Sequence, residues 1–492
     1  MLALALLSLA APAQMTARPP TVVVVLCDDL GYGDVSPLNP ASRIPTPAFH
    51  RLAKEGMTFT DAHTPSAVCT PTRYGLLTGR YAWRSRLKKG VLGGYSRPLI
   101  GPDRTTIADV MRMAGARTAV VGKWHLGLGW HWNEEPTEID NFGKSRPAGQ
   151  IDFSQPVTGG PAELGFDASL LIPASLDMTP YVYVADGKVE ELPTAIVDAT
   201  KFPGSYRGGE AAPSFRHVDV LDRIVEQAET LIGQESAKPL FLYVPLTSPH
   251  KPVLPHPRFR GVGALGPYSD FIVQTDAAVG RILDAVDASG RAEDTIVIVT
   301  SDNGSFMYRT PEGKADHSED ESVQGYRAGT HLANGPLRGT KADVWEAGHR
   351  VPMFVRWPKT VAPASVCEAT VCLTDVMPTL ADACGVRMPE GAAEDGVSLF
   401  PVLLGEEIDR GPVVHHSGNG MFAVREGRWK LVFGDGSGGR EKPRGEPFGR
   451  PVRLFDLPAD IGETADVAAD HPDVVGRLTA ALKAIAGDEV PL

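Results

Sequence analysis

Ser66-Ala67-Val68-Cys69-Thr70-Pro71-Thr72-Arg73, continued by Tyr74-Gly75-Leu76-Leu77-Thr78-Gly79-Arg80, sets one cysteine in a turn ahead of a proline and an arginine. Proline fixes its own φ and pushes the preceding residue out of the helical region, so a helix can begin at Pro71 but not run through it. Cys69 then falls just before a helix N-terminus, beside free backbone N–H groups and the positive end of the dipole. Arg73, one turn on, can point back at it. The stretch therefore describes an electropositive, anion-friendly pocket around a single sulfur atom. Alone, such a cysteine reads as a buried or reactive thiol; the rest of the chain decides its meaning.

The chain has 492 residues, which suggests one large domain and a smaller one. With 42% hydrophobic and 22% charged residues, it has the composition of a soluble globular protein. A net charge of −12 argues against a nucleic-acid partner, so an anionic substrate needs a local positive pocket in an acidic surface. Residues 2–11 form the only long apolar run, too short for a transmembrane segment. Followed by Ala11-Pro12-Ala13, they predict a signal peptide over residues 1–13 and an exported protein, periplasmic or extracellular. The alternative is a disordered N-terminus of a cytosolic protein. Five cysteines are present, with no C-x-x-C spacing: Cys27, Cys69, Cys367, Cys372 and Cys384. Cys27 reads as a packed core thiol, and a disulfide among the last three is open.

Thr21 to Cys27 is a continuous β-branched run, a buried strand, ending in Asp28-Asp29. Adjacent carboxylates at a buried strand end are costly unless paired or metal-bound. Pro45-Thr46-Pro47 leads into a helix with apolar Phe49, Leu52, Ala53 and Met57. Another helix is expected at 104–115. The strand Thr118 to Val121 delivers Gly122-Lys123-Trp124-His125. Residues 130–215 read as long loops with a few short strands, where function commonly sits. Helices are expected at 217–233, 268–289, 374–384 and 471–486. Buried strands at 240–244 and 295–300 run into Ser248-Pro249-His250 and Asp302-Asn303. Gly339-Thr340-Lys341 follows a second loop. From about 408 the pattern changes to short strands, 420–425 and 428–433, with a Gly-rich hairpin at 434–447. This predicts an α/β domain over 20–407 and a smaller α+β piece with an antiparallel sheet over 408–492.

The polar strand ends are expected to converge at one edge of the sheet. Asp28, Asp29, Asp302 and Asn303 offer only oxygen, which suits Ca²⁺ or Mg²⁺ better than zinc. A lone Asp-Asp or Asp-Asn reads as a turn or cap; the four polar strand ends together with the C-T-P-T-R turn do not.

The run C-T-P-T-R with Leu77-Thr78-Gly79 resembles the type I sulfatase signature C-x-P-x-R-x-x-x-L-T-G, in a family with an alkaline-phosphatase-like fold. The resemblance extends from about Val22 to Leu457. It implies a large mixed sheet flanked by helices. It also implies that Cys69 is oxidised to Cα-formylglycine by a formylglycine-generating enzyme, and that its hydrated diol attacks sulfur. The metal ligands map onto Asp28, Asp29, Asp302, Asn303 and the modified Cys69, with Ca²⁺ as the ion and Mg²⁺ the alternative. The other active-site positions match Arg73, Lys123, His125, His250 and Lys341. In the implied roles, Lys123 and Lys341 bind sulfate, Arg73 forks onto the diol, and Asp302 is the base for the nucleophile. His250 protonates the leaving oxygen, and His125 takes the proton from the second diol hydroxyl.

The substrate implied is an aryl sulfate or a sulfated carbohydrate. Tyr74 to Arg84 and Lys341 to Glu346 look like bacterial glycan sulfatases, some acting on 6-O-sulfated galactose or N-acetylgalactosamine. Ser175 to Met178, His217, His331 and His349 lie in or beside the loops that would choose it, and Trp124, Trp130 and Trp132 could stack on a sugar. Two rivals stay open: a phosphonate monoester or phosphodiester hydrolase of the same superfamily, and a non-catalytic sulfoglycan-binding protein if Cys69 stays a thiol. The oligomeric state is not readable.

Overall fold

A computed structural model describes residues 18–134 and 148–491. The expected signal peptide, residues 1–13, lies outside the described residues. Among the described residues, no helix is long and apolar enough to cross a membrane.

Valine and isoleucine runs make the centre of the molecule. Thr21–Asp28 lies between two parallel neighbours, Leu240–Pro249 and Thr295–Ser301. Arg117–Lys123 and Ala168–Ile172 extend the parallel part on one side. Met353–Arg356 is antiparallel to Thr295–Ser301, and Met57–Phe59 is antiparallel to it in turn. With Ser365–Cys367, Val184–Ala185 and Lys188–Val189 at the edges, this is a ten-stranded mixed sheet.

The central strand is buried on both faces, which is why its sequence shows no alternation. Val22, Val24 and Leu26 point into one core; Val23, Val25 and Cys27 point into the other. Helices Pro47–Glu55, Val220–Gly233 and Pro267–Ala288 cover the second face. Cys69–Thr78, Ile107–Met113 and Val376–Ala383 cover the first. Cys27 is packed in the second core, as expected. All five cysteines are free, so the disulfide left open among Cys367, Cys372 and Cys384 does not form.

Two expected boundaries shift. Met57 starts a strand instead of ending a helix, because the chain breaks at Gly56, in extended backbone packed on Val355. The Cys69 helix begins at Cys69 itself, not at Pro71. Pro71 is its third residue, where the missing N–H has no intrahelical partner to lose. Gly79 ends it at a left-handed φ of 62°, donating to the Gly75 carbonyl.

After Val413 the chain forms a four-stranded antiparallel sheet: Val413–His416, Phe422–Glu426, Trp429–Val432 and Arg453–Asp456. Helix Pro472–Ala486 packs on one face through Leu478 and Leu482, together with Tyr81 and Trp83. The other face buries Val344 and Trp345. The small sheet is thus held between the segment after Gly79 on one face and the segment after Lys341 on the other.

Candidate active site

The parallel strands deliver their C-terminal ends to one place. Asp28 is the last residue of its strand, and Asp29 follows with a left-handed φ of 64°. In a continuing strand these two side chains would point to opposite faces. The reversal instead brings both carboxylates to one site, with ligand atoms of Asp28, Asp29, Cys69 and His250 all within 4.8 Å of one another. The same device recurs after the Lys123 strand, where His125 has φ 57°. Asp302 and Asn303 leave the neighbouring strand, and the Asp29 N–H donates to Asp302 Oδ1 at 3.2 Å. Apart from Cys69, His250 and Lys341, which open onto a cleft, these groups are sealed.

Three cations are set against three carboxylates. Lys123 Nζ donates to both Asp28 oxygens, at 2.8 and 2.7 Å. Arg73 forks onto Asp302 Oδ2, with Nε at 3.0 Å and Nη2 at 2.7 Å, and gives Nη1 to the Lys123 carbonyl. Lys341 Nζ donates to Asp29 Oδ1 and lies 3.4 Å from Cys69 Sγ. The expected fork of Arg73 onto residue 69 is therefore taken by Asp302, whose second oxygen leaves room for the guanidinium. Burial pushes Asp28 up to about 7, against the opposing pull of Lys123. Burial also raises the Cys69 thiol, though Lys123 and Lys341 oppose it. As a plain thiol, Cys69 is thus a poor nucleophile here.

The histidines are posed differently. His125 Nε2 donates to the Leu92 carbonyl at 2.7 Å, which leaves Nδ1 a buried lone pair with no partner. His250 Nδ1 donates to the Lys251 carbonyl, and Nε2 lies 3.5 Å from Asp29 Oδ2. Ser175 Oγ bridges Lys123 Nζ at 3.2 Å and His250 Nδ1 at 3.2 Å. Burial, then Lys341, holds His250 well below the usual histidine range; burial, then Lys123, does the same for His125.

Asp29 Oδ2 and Asn303 Oδ1 are buried acceptors without a hydrogen-bond partner. Unmet oxygens beside further carboxylates are what a hard divalent cation needs. The buried cluster is able to hold a metal ion.

The cleft above Cys69 has a volume of 380 Å³. Asp177 and Met178 line it, as expected for that loop. Lys251, Arg207, Arg440 and Arg444 line it too, and the sequence reading had passed over them. The basic hairpin 440–444 was the available signal. Other expected substrate contacts are not there. Trp124 and Trp130 are core residues, 1% and 6% exposed, with indoles donating to the Gly127 and Gly94 carbonyls. Trp132 packs near Tyr95. His217 stacks on Tyr206, and His331 pairs with Asp34 at 2.9 Å. His349 belongs to a separate buried cluster.

The Sulfatase family profile matches residues 20–386, and the profile of the N-sulphoglucosamine sulphohydrolase C-terminal region matches residues 340–433. The chain belongs to the sulfatase family. An N-acetylgalactosamine-6-O-sulfatase of Bacteroides thetaiotaomicron is 32% identical over 95% of this chain and 93% of that protein. Human arylsulfatase A is 30% identical over 94% of this chain and 87% of its own. A solved Bacteroides thetaiotaomicron structure, from work on its metabolism of multiple glycosaminoglycans, superposes with a TM-score of 0.81. It is 32% identical and covers 95% of this chain and 99% of that one. The phosphonate monoester hydrolase of Agrobacterium radiobacter shares the fold, with a TM-score of 0.58 at 18% identity over 96% of each chain. This sulfatase therefore has the alkaline-phosphatase-like fold, and it is a sulfuric ester hydrolase.

Proposed function

We propose that this sulfatase removes O-sulfate from a sulfated glycan, with 6-O-sulfated N-acetylgalactosamine or galactose as the substrate class. The supporting observation is the convergence of Cys69, Lys341, Asp29 and His250 at the floor of one cleft, in a chain similar to N-acetylgalactosamine-6-sulfatases. Here Cys69 Sγ stands in for the oxygens of a formylglycine diol, formed by a formylglycine-generating enzyme during export. One diol hydroxyl attacks sulfur, and the second expels sulfate and restores the aldehyde.

Asp28, Asp29, Asp302, Asn303 and the mature residue 69 would hold Ca²⁺, with Mg²⁺ the alternative. When bound, that ion polarises a sulfate oxygen and favours ionisation of the attacking hydroxyl. Asp28, Asp29 and Asp302 balance Arg73, Lys123 and Lys341. A divalent ion would add two positive charges, one of which a sulfate monoester neutralises; the remainder favours ionisation of the attacking hydroxyl. Asp302 receives the proton from the attacking hydroxyl. Lys123 and Lys341 turn from the carboxylates toward the sulfate oxygens as point charges.

His250 is the acid for the departing sugar oxygen. Burial and the neighbouring Lys341, Lys123 and Lys251 depress its pKa; a sulfate beside it would oppose them and favour the protonated ring. His125 is posed as a base, since its Nδ1 lone pair has no other partner and its tautomer is fixed by Leu92. His217, His331, His349 and the tryptophans have no part in this substrate site, while Ser175, from the loop expected there, is the hydroxyl that orients His250 and Lys123.

The mass of the peptide carrying residue 69 is the direct test: oxygen in place of sulfur supports the diol, and an intact thiol favours a sulfoglycan-binding protein. Side-by-side assays of sulfate, phosphonate and phosphodiester substrates separate the hydrolase alternatives. We read residues 20–407 as carrying the chemistry and 408–492 as a subdomain that closes one wall of the cleft.

A further inference from the structure

The cleft over Cys69 is more basic than one sulfate ester requires. The three cations at its floor are already matched by Asp28, Asp29 and Asp302. Above them the walls add Lys251, Arg207, Arg440 and Arg444 against a single acid, Asp177. Arg207 lies 3.8 Å from Asp177. Among the described residues, Lys251, Arg440 and Arg444 are ion-paired to no carboxylate. This occurs in a chain of net charge −12, where unopposed cations should be scarce.

Arg440 is also held in place. Its N–H and that of Glu441 donate to Asp343 Oδ1, two residues from Lys341. Gly439 lies so close to this segment that a Cβ there would sit 2.2 Å from the Ala342 carbonyl oxygen. The Gly438 N–H donates to the Arg444 carbonyl at 2.6 Å. The hairpin is therefore fixed, backbone against backbone, to the loop that carries the sulfate-facing lysine. Lys251 is half-buried opposite. Burial lowers its pKa, Asp177 opposes that, and Arg440 and Lys341 lower it further, as neighbouring like charges do. Like charges held together beside a reaction centre, four against the single acid Asp177, point to an anion site.

We propose that this wall binds a second anionic group, a carboxylate or sulfate on the sugar adjoining the one desulfated, between Lys251, Arg440 and Arg444. The proposal rests on the sulfatase reading of the cleft. The second anion undergoes no reaction, so its contacts stabilise bound substrate and transition state alike and act on KM more than kcat. Arginine forks suit a planar carboxylate and a tetrahedral sulfate equally.

The test compares disaccharides that share a terminal 6-O-sulfated N-acetylgalactosamine. One carries a uronic acid neighbour, one the same neighbour with its carboxyl reduced to an alcohol, and one a neutral neighbour bearing its own sulfate. The wild type should favour at least one charged form over the reduced form by about tenfold or more in kcat/KM, the size of one charge-assisted hydrogen bond. Which charged form wins identifies the anion. Rising salt should erode the preference. In Arg440→Gln and in Arg444→Gln the preference should shrink, chiefly through KM, and in the double variant it should vanish.

Equal kcat/KM for all three in the wild type overturns the proposal, as does a full preference in the double variant. Calorimetric binding of the same three sugars to a Cys69→Ala protein gives a readout independent of turnover. If the wild type hydrolyses no sulfate ester, the sulfatase reading fails alone, and the binding ranking still decides whether the anion wall exists.

Discussion

The molecule buries two ionic clusters with the same formal charges. At the cleft, Asp28, Asp29 and Asp302 meet Arg73, Lys123 and Lys341. Under the small sheet, Asp61, Glu346 and Glu463 meet Arg350, Arg425 and Lys430. In the second set Lys430 reaches Glu463 at 2.7 Å and Glu346 at 3.2 Å, while Arg425 reaches Asp61 at 2.8 Å and Arg350 reaches it at 3.1 Å. His63, His349 and His415 fill the space among these groups, all fully buried. The difference lies in access and geometry. In the first set, carboxylates converge on unmet acceptors at the floor of a cleft. The second also holds unmet oxygens, on Glu346 and Glu463, but it does not line that cleft, and its ion pairs tie the small sheet to the large one. A buried charge cluster is thus not itself a sign of chemistry; convergence onto an open reacting position is.

Removing the reacting position should break the comparison most sharply. Cys69→Ala should keep its fold and lose turnover by on the order of a million-fold, as expected when an enzyme loses its nucleophile. Cys69→Ser should be nearly as inactive, because an alcohol lacks the second hydroxyl needed to expel sulfate. Sulfate release and circular dichroism on the same samples check both halves; catalytic turnover by the alanine variant would falsify the diol reading.

Metal removal comes next. Chelation should cost several kcal/mol of transition-state stabilisation, on the order of a thousandfold in rate, and Ca²⁺ or Mg²⁺ should restore it. Full activity after exhaustive chelation, or restoration by zinc alone, would assign the four oxygen-bearing residues wrongly.

His250→Ala should slow a sulfated sugar by about a hundred- to ten-thousand-fold and an activated aryl sulfate far less, since a good leaving group needs little protonation. Equal losses on the two substrates would make His250 a binding group and not the proton donor.

Most of the first cluster was legible in the sequence, and almost none of the second was. Asp28-Asp29, Lys123-Trp124-His125, Ser248-Pro249-His250 and Asp302-Asn303 each follow an apolar run, so hydrophobicity announces where the strand stops and the polar end begins. Cys69 was legible because Pro71 marks a helix start beside it and the run to Gly79 carries the sulfatase signature. What the sequence did not reveal is which partner each charge takes. Arg73 was expected on residue 69 and instead grips Asp302, which is 229 residues away. Trp124 and Trp130 looked like sugar platforms because they lie in or beside the loops expected over the sulfate; burial, which decides their role, depends on distant chain. His349, expected near substrate, meets His63 and Lys430 across gaps of 286 and 81 residues. Arg440 went unread because a basic Gly-rich hairpin normally faces solvent, and only its docking on Asp343 turns it toward the cleft.

The second cluster gives a stability prediction instead of a kinetic one. Lys430→Met leaves Glu463 without its cation beside Glu346, which keeps only Arg425 and Arg350, each at 3.6 Å. Breaking a buried ion network from one side typically costs about 3–5 kcal/mol. Adding Glu463→Gln should recover part of that loss, because burial already pushes the Glu463 carboxyl up to about 7 against the pull of Lys430. Chemical denaturation of the three proteins measures it, and a Lys430→Met variant as stable as the wild type would mean that the network does not clamp the sheets.

His415 should show the smallest effect. It stacks on His349, with ring centroids 3.8 Å apart and planes 16° from parallel, and neither of its nitrogens has a hydrogen-bond partner. Burial, then His349 and His63, holds it well below its usual value of 6.5; Lys430 adds to this and Glu346 opposes it. A histidine depressed in the folded state takes up its proton more readily when unfolded. Its contribution is therefore intact above 6.5 and declines as pH falls through that value toward the folded pKa. His63 and His349 are depressed in the same direction, while the raised Glu463 works the opposite way, its cost easing on acidification. His415→Phe removes one titrating ring and leaves the others. It also replaces two unmet nitrogens by carbon, worth about 1 kcal/mol or more if the site accepts the larger ring. The variant should therefore melt no lower than the wild type at neutral pH and lose less stability between pH ~7 and pH ~5. Melting curves at the two pH values decide it. A variant that is less stable at neutral pH and equally acid-sensitive would show that the His415 nitrogens hold a partner, and the sealed cluster would then be closer in kind to the catalytic one.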